Sequence, residues 1–312
     1  MKNIAVVGCG YWGKNLIKNF SQLGSLKYVF DFDISLKQKF EQDYGLEECK
    51  DFDHLIKDQA LDGIVIATPA ETHFELAKQV LLSKKDVFVE KPLCLLLKHV
   101  NELNEIAQKN NLIIMVGHLL QYHDHFTKLL EIKEKSKGKL IKVTSKRKSF
   151  GKIRFNENVI WSFAPHDISM INRICPGELK NFKCIKNSYF DKNIDSAYMS
   201  FTKSDVKCEI QVDWSSIEKE HKIELYFSDG IVVFEDSAPF DEKLYIYDIS
   251  FNQSTLVEKN KIEKRFIKIN SRQPLENECK AFLKSIKSRK APYTNADESI
   301  KVLELLLRSD EK

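Results

Sequence analysis

Apolar positions in the first 118 residues follow two alternating rhythms. Residues 2–7, 27–31, 61–67, 87–89 and 112–116 are short, nearly continuous apolar runs, the pattern of strands buried on both faces. Between them, residues 11–23, 71–85 and 95–110 repeat apolar side chains at helical spacing. The first of these carries Trp12, Leu16, Ile17, Phe20 and Leu23 on one face. Strands alternating with helices predict a parallel sheet covered on both sides. Beyond about residue 118 the rhythm changes. A helix over 126–137 leads to a strand over 140–149, and Pro165-His166-Asp167-Ile168-Ser169 reads as the opening of another helix. Residues 206–214 then alternate apolar and polar without a fault. The same period continues over 222–227, 231–235 and 243–249, with Ser228-Asp229-Gly230 as a hairpin turn. This predicts an open antiparallel sheet with one packed face. Helices over 275–289 and 297–308 close the chain, and a cleft is expected between the two halves.

Bulk properties narrow the field. A chain of 312 residues can bury a sizeable core and ordinarily forms two domains. Its 49 basic and 45 acidic residues leave a formal charge of +4, with basic residues scattered apart from short clusters such as Lys146-Arg147-Lys148. No stripe suited to a duplex is present, so nucleic acid is not an expected partner. Cysteines stand at positions 9, 49, 94, 175, 184, 208 and 279, an odd number with no C-x-x-C pair. They read as reduced thiols of a cytoplasmic protein. The start, MKNIAVVGCG, reads as a first strand and not as a signal peptide. No apolar run approaches the roughly 18 residues that suggest a membrane span.

The chemistry begins at Gly8-Cys9-Gly10-Tyr11-Trp12-Gly13, a G-x-G-x-x-G between a strand and a helix. Gly8 permits the tight turn, Gly10 lets backbone approach a pyrophosphate, and Gly13 lets the helix pack closely on the strand. The pyrophosphate then meets the N–H groups and positive dipole end of a helix, at Tyr11, Trp12 and Gly13. A second strand ends at Asp31, eighteen residues after Gly13. An acid there accepts hydrogen bonds from the adenosine ribose and repels a 2′-phosphate, so NAD is favoured over NADP; Asp33 is the rival for this role. The fold class expected is α/β: an NAD-binding Rossmann domain over residues 1–118, followed by a substrate-binding α+β domain over residues 119–312 on the open sheet.

Two further loops follow strands and so belong at the same edge of the sheet. Ala67-Thr68-Pro69-Ala70-Glu71-Thr72-His73 places Thr68 and Pro69 towards the nicotinamide half of the cofactor, and Glu90-Lys91-Pro92 places Glu90 and Lys91 there as well. His73 reads equally well as a ligand contact and as a structural residue.

The three segments GCGYWG, ATPAETHFELA and VEKPL, in this order and spacing, resemble the glucose–fructose oxidoreductase / inositol dehydrogenase (Gfo/Idh/MocA) family of NAD(P)-dependent sugar dehydrogenases. The resemblance covers essentially the whole chain. It implies that Lys91 lies in the active site, with a bond to Pro92 that is often cis. Most of that family carries an aspartate four residues before the active-site histidine. Here His166 is in place and position 162 is a serine. The fuller stretch around Trp161-Ser162-Phe163-Ala164-Pro165-His166, with Gly151–Arg154 and Gly117–His123, resembles the UDP-N-acetylglucosamine and UDP-N-acetylglucosaminuronate 3-dehydrogenase branch. That branch implies a UDP-sugar substrate, a role in surface-polysaccharide or lipid A synthesis, and a sugar contact near Ser149.

Oxidising a secondary alcohol requires a base for the hydroxyl proton and a donor that steadies the alkoxide. His166, with a reference pKa of about 6.5, is the favoured base, kept neutral by a helix N-terminus. Lys91 then steadies the alkoxide. The opposite assignment, Lys91 as base, stays open. Asp167 reads either as the partner that orients His166 or as an acid in a first helical turn. Ser162 and Tyr122 are candidate sugar contacts. Arg147 and Arg154 are candidates for the diphosphate or a uronate carboxylate, or else solvated strand residues. His123-Asp124-His125 lacks the spacing and company of a metal site, and no metal is expected. The expected activity is NAD-dependent oxidation of the C3 hydroxyl of a UDP-N-acetylhexosamine by a homodimer or homotetramer. The alternatives are a keto-sugar reductase and a non-catalytic cofactor-binding sensor.

Overall fold

The computed structural model describes residues 2–150, 157–190, 192–249, 263–270 and 273–311. The chain forms two compact units, Met1–Tyr122 with Gln273–Glu304, and His123–Arg272 with Leu305–Lys312.

Unit 1 is built on five parallel strands: β1 (Ile4–Val7), β2 (Leu26–Phe30), β3 (Gly63–Ile66), β4 (Asp86–Val89) and β5 (Ile114–Val116). Their order is β2-β1-β3-β4-β5. β1, β3, β4 and β5 are buried at every position, as their unbroken apolar runs require. The covering helices are α1 (Gly13–Gln22), α2 (Ile34–Tyr44), α3 (Phe52–Lys57), α4 (His73–Leu82) and α5 (Leu97–Lys109). The hydrophobic pattern did not announce α2 and α3. Both are marked instead by caps: the Asp33 carboxylate accepts from Leu36 N–H, the Asp51 carboxylate accepts from His54 N–H, and Gly45 closes α2 at φ +61°. Because the strands are parallel, all five carboxyl ends share one edge, and chain order reverses there between β1 and β3.

Unit 2 carries an eight-stranded sheet: β6 (Leu140–Lys148), β7 (Lys180–Asn187), β8 (Ser196–Lys203), β9 (Val206–Asp213), β10 (Glu220–Phe227), β11 (Gly230–Glu235), β12 (Leu244–Asp248) and β13 (Lys264–Phe266). The order is β13-β12-β11-β10-β6-β9-β8-β7. The sheet is mixed, because β6 and β9 pair in parallel while the other neighbours are antiparallel. The hairpin predicted at Ser228-Asp229 joins β10 to β11, with Phe227 opposite Gly230. Helices α6 (Asp124–Lys135) and α7 (Val159–Ile174) belong to this unit.

Two elements differ from expectation in ways that matter. First, α7 starts at Val159, six residues before Pro165, because Asn158 Oδ1 accepts from the N–H groups of Ile160 and Trp161 at 3.0 and 3.2 Å. Second, α8 (Pro274–Ser288), which a boundary at residue 118 assigns to the second domain, packs on unit 1. Phe282 is fully buried and meets Phe20 and Phe88 edge-on, with ring centroids 6.5 and 5.6 Å apart. At the end of α8 the Arg289 guanidinium forks onto the carboxylate of Asp86, the first residue of β4, in a bidentate pair. Helix α9 (Ala296–Asp310) follows.

Truncating Phe282 to alanine removes the ring that joins α8 to the sheet. We expect Phe282→Ala to destabilise unit 1 by about 3–5 kcal/mol, read as an earlier urea transition; an unchanged midpoint would show that α8 contributes little to this core.

Candidate active site

The glycine loop is a fit between backbones. A Cβ at Gly13 would lie 1.8 Å from the Gly8 carbonyl oxygen, so only glycine lets α1 seat on β1. Gly8 itself, at φ +96°, would collide with the Ala67 carbonyl at 2.7 Å. Gly10 faces open space, with nothing within 4 Å of where a Cβ would stand, as an approaching pyrophosphate requires. Trp12 stands at the start of α1 with no side-chain cap, and the first turn carries no acid that would compete with an anion. Tyr11 is exposed beside Lys14.

Asp31 follows β2. Its two carboxylate oxygens accept from Cys9 N–H at 2.6 Å and Asp33 N–H at 2.9 Å, which ties the glycine loop to the adjacent strand end. Asp33 is occupied as the cap of α2, where hydrogen bonds from Ser35 and Leu36 hold its carboxyl below the usual range. A cavity of about 480 Å³ opens beside Asp31, walled by Phe30, Phe32, Ile34 and Phe52. It lies at this end of the strand edge, and Lys91 is not among its walls.

After β3 and β4 come the two remaining loops. The Thr68 and Thr72 hydroxyls are 2.7 Å apart, and Pro69 is exposed. His73 is a buried brace, 1% exposed. Its Nδ1 lies 2.8 Å from the Pro92 carbonyl and its Nε2 lies 2.9 Å from the Thr68 carbonyl. Burial pulls its pKa below the ordinary value, against the pull of those two contacts. The Lys91–Pro92 bond is cis, as the family resemblance implies. The Glu90 carboxylate faces inward: it accepts from the Trp12 indole N–H, accepts from Lys91 N–H at 3.3 Å, and would meet a Gly117 Cβ at 2.7 Å. Burial raises its pKa, while Trp12 and the Lys91 charge oppose the rise. Burial and, second, the Lys91 charge push His118 down to about 3, so its imidazole is neutral 3.5 Å from Glu298 and the contact is not an ion pair.

Sequence reasoning did not find Glu278. This α8 residue is 0% exposed, and neither carboxylate oxygen has a hydrogen-bond partner among the described residues. Burial raises its pKa well above the ordinary range, and the charge of Glu90 raises it further. Its position among helix-spaced apolar residues gave no signal of this. Tyr122 is tied down within unit 1: its hydroxyl pairs with Thr294 at 2.8 Å and its carbonyl accepts from Asn277 at 3.1 Å.

Unit 2 supplies Arg147, Ser149, Ser162 and His166; Arg154 and the Gly151–Arg154 stretch lie outside the described residues. His166 stands in the middle of α7, so the expected help from a helix N-terminus lapses, because that field fades within the first turn. Ser162 lies one turn earlier on the same face of α7 and is buried. Asp167 lies inside α7 and does not open a helix. It is 1% exposed and holds Arg147 through Nε at 2.6 Å and Nη2 at 3.2 Å, with Ser145 Oγ donating at 2.6 Å. The Arg147 fork is thereby engaged with α7, and Arg147 is buried instead of lying along a solvated strand. Ser149 directly follows β6, its N–H bonded to the Asp213 carbonyl. Among the described residues no cluster of histidine, cysteine, aspartate or glutamate suits a metal ion.

Residues 2–118 match the model of an oxidoreductase family with an NAD-binding Rossmann fold, Gfo/Idh/MocA. The match covers the Rossmann unit alone, and over these residues the chain is similar to that family. Myo-inositol 2-dehydrogenase of Thermotoga maritima is 26% identical over 203 residues, which are 62% of this chain and 61% of that protein. The chain spans less than two thirds of the length of the first curated relatives it matches. Solved structures share the whole fold at low identity. UDP-N-acetylglucosamine 3-dehydrogenase from Acidithiobacillus ferrooxidans superposes with a TM-score of 0.86 at 17% identity, over 98% of this chain and 96% of that one. A 3-ketoreductase from Actinomadura kijaniata, in complex with TDP-benzene and NADP, gives 0.81 at 14%, over 98% and 95%. Both units of the family fold are therefore present, a Rossmann unit and a mixed-sheet unit. No helix among the described residues is long and apolar enough to cross a membrane.

A carboxyl whose folded pKa is raised contributes full stability below its unfolded pKa and loses it as pH rises through the folded value. We therefore expect Glu278→Gln to be as stable as the wild type near pH 4–5, within the ordinary glutamate range of about 4.3. The variant should then become progressively more stable than the wild type towards pH 9. Thermal melts across that range check this, and a gap that closes as pH rises would contradict it.

Proposed function

We propose that this protein oxidises the C3 hydroxyl of a UDP-linked N-acetylhexosamine, UDP-N-acetylglucosamine or its uronate, to the 3-keto sugar with NAD. The observation that carries the reading is the position of Lys91, at the end of β4, on the strand edge that bears the glycine loop after β1 and Asp31 after β2.

When bound, the nicotinamide supplies the hydride acceptor. Gly8, Gly10 and Gly13 admit the pyrophosphate, with Tyr11 and Trp12 at the helix start. Thr68, Pro69, Glu90 and Lys91 line the nicotinamide side. Asp31 favours NAD, because a 2′-phosphate would face its carboxylate; the cavity beside it offers aromatic walls to an adenine. His166 takes the hydroxyl proton and Lys91 stabilises the alkoxide oxygen. The carbinol loses a proton from oxygen and a hydride from carbon, leaving the ketone, reduced cofactor and one released proton. The exchange of these two roles is the nearest variant of this scheme. Ser162, one helical turn before His166, and Ser149 contact the sugar, and Arg154 is the candidate for the diphosphate or a uronate carboxylate. Arg147 joins them only if its pair with Asp167 opens.

Support for the UDP-sugar comes from the Trp161–His166 pattern and the shared fold of the solved 3-dehydrogenase. A ketone amino-sugar precursor in surface-polysaccharide or lipid A synthesis is the natural product, made in the cytoplasm. A homo-oligomer is also proposed, because Ile185 and Tyr198, directly paired across β7 and β8, are both exposed.

Incubation with a panel of UDP-sugars and NAD is expected to give reduced cofactor and a product two hydrogens lighter, with NADP the poorer oxidant. Lys91→Ala and His166→Ala should each lower kcat by about 10²–10⁴-fold. Turnover only in the direction of ketone reduction would replace the reading with a reductase. Cofactor binding without turnover in either direction would replace it with a sensor.

A further inference from the structure

We propose that His73 is a positioning residue for Lys91: from the start of α4, at the end of the loop after β3, its Nδ1–H donates to the carbonyl of Pro92, the residue after Lys91, so the two loops at the nicotinamide end move as one body. The inference rests on the reading of Lys91 as an active-site residue.

The geometry is specific. His73 is the first residue of α4, a helix whose own start needs no histidine. Its ring is 1% exposed and leaves neither nitrogen to solvent. Nδ1 lies 2.8 Å from Pro92 O, nineteen residues away in sequence, and Nε2 lies 2.9 Å from Thr68 O; the neutral ring carries one N–H, and the bond that crosses between loops is the one from Nδ1 to Pro92. One ring thus spans the loop after β3 and the loop after β4, two adjacent strands. A second set of contacts holds the opposite side of the same loop. Lys91 N–H donates to Glu90 Oε2 at 3.3 Å, and Glu90 is itself fixed by Trp12 at the start of α1. The Lys91 backbone is therefore held from two directions, and His73 ties its loop to the loop that bears Thr68. A ligand contact would need a ring nitrogen pointing away from protein; both nitrogens here face backbone carbonyls.

The consequence is catalytic precision. A reacting group displaced by about 1 Å can lose on the order of 10²-fold in rate while ground-state binding hardly changes. We expect His73→Phe, which keeps the ring shape without donors, to lower kcat by up to about 10²-fold with little change in the KM for NAD. Glutamine restores a side-chain N–H donor, so His73→Gln should recover part of the loss. A readout independent of turnover is hydrogen exchange at the Lys91 amide, which should accelerate in His73→Phe relative to wild type and slow again in His73→Gln. If the phenylalanine variant fails to fold, His73→Gln against wild type carries the same comparison, with exchange intermediate or faster. Unchanged exchange at Lys91 together with unchanged kcat would overturn the inference. Faster exchange in His73→Phe combined with normal turnover in Lys91→Ala would leave the clamp intact and overturn the assignment of Lys91 instead.

Discussion

The structure of unit 1 depends on one close approach, that of the Gly13 α-carbon to the carbonyl of Gly8. With no side chain at Gly13, α1 can lie down on β1 immediately after the turn. That places the uncapped end of α1 at the carboxyl edge of the sheet, where the loops after β2, β3 and β4 also arrive. Asp31 then bonds Cys9, and Trp12 bonds Glu90, so the glycine loop is joined on either side to neighbouring strand ends. A single methyl group at Gly13 would disturb all of these contacts.

Charge is distributed around this edge with care. The charge of Lys91 favours the ionised form of the Glu90 carboxylate and, after burial, helps keep the His118 imidazole neutral. Glu278 lies deeper, in a helix that returns to the Rossmann unit from the far end of the chain. Two carboxyls in one poorly solvated neighbourhood resist ionising together, so this region holds a proton that surface carboxylates would release. In unit 2 the corresponding anchor is the Arg147–Asp167 pair, which fixes α7 against β6.

Much of this was legible in the chain. The five apolar runs gave the parallel strands because burial on both faces leaves no polar alternation, and G-x-G-x-x-G followed by Asp31 gave the cofactor edge. The period-2 runs gave β9 to β12. What stayed hidden had physical causes. Helix α7 was read as starting at Pro165 because proline suits a first turn, yet Asn158 supplies the cap and Pro165 sits inside the helix. That shift removed the dipole argument for His166 and turned Asp167 from a helix-start acid into the partner of a buried arginine. Strands β7 and β8 were missed because lysine, asparagine and serine dilute their apolar positions, and the return of α8 to unit 1 depends on long-range packing of Phe282 and Arg289 that periodicity does not carry. His73 was evenly balanced between ligand and brace, and the two carbonyls on its ring favour the brace.

A Gly8–Gly13 approach that builds a dinucleotide site is read out by calorimetric titration of NAD into wild type and Gly13→Ala. Saturable binding to the wild type, weakened by about tenfold or more in the variant, an energetic loss of about 1.4 kcal/mol or greater, is the predicted result. No binding to the wild type, or equal affinity in a folded Gly13→Ala, would contradict it.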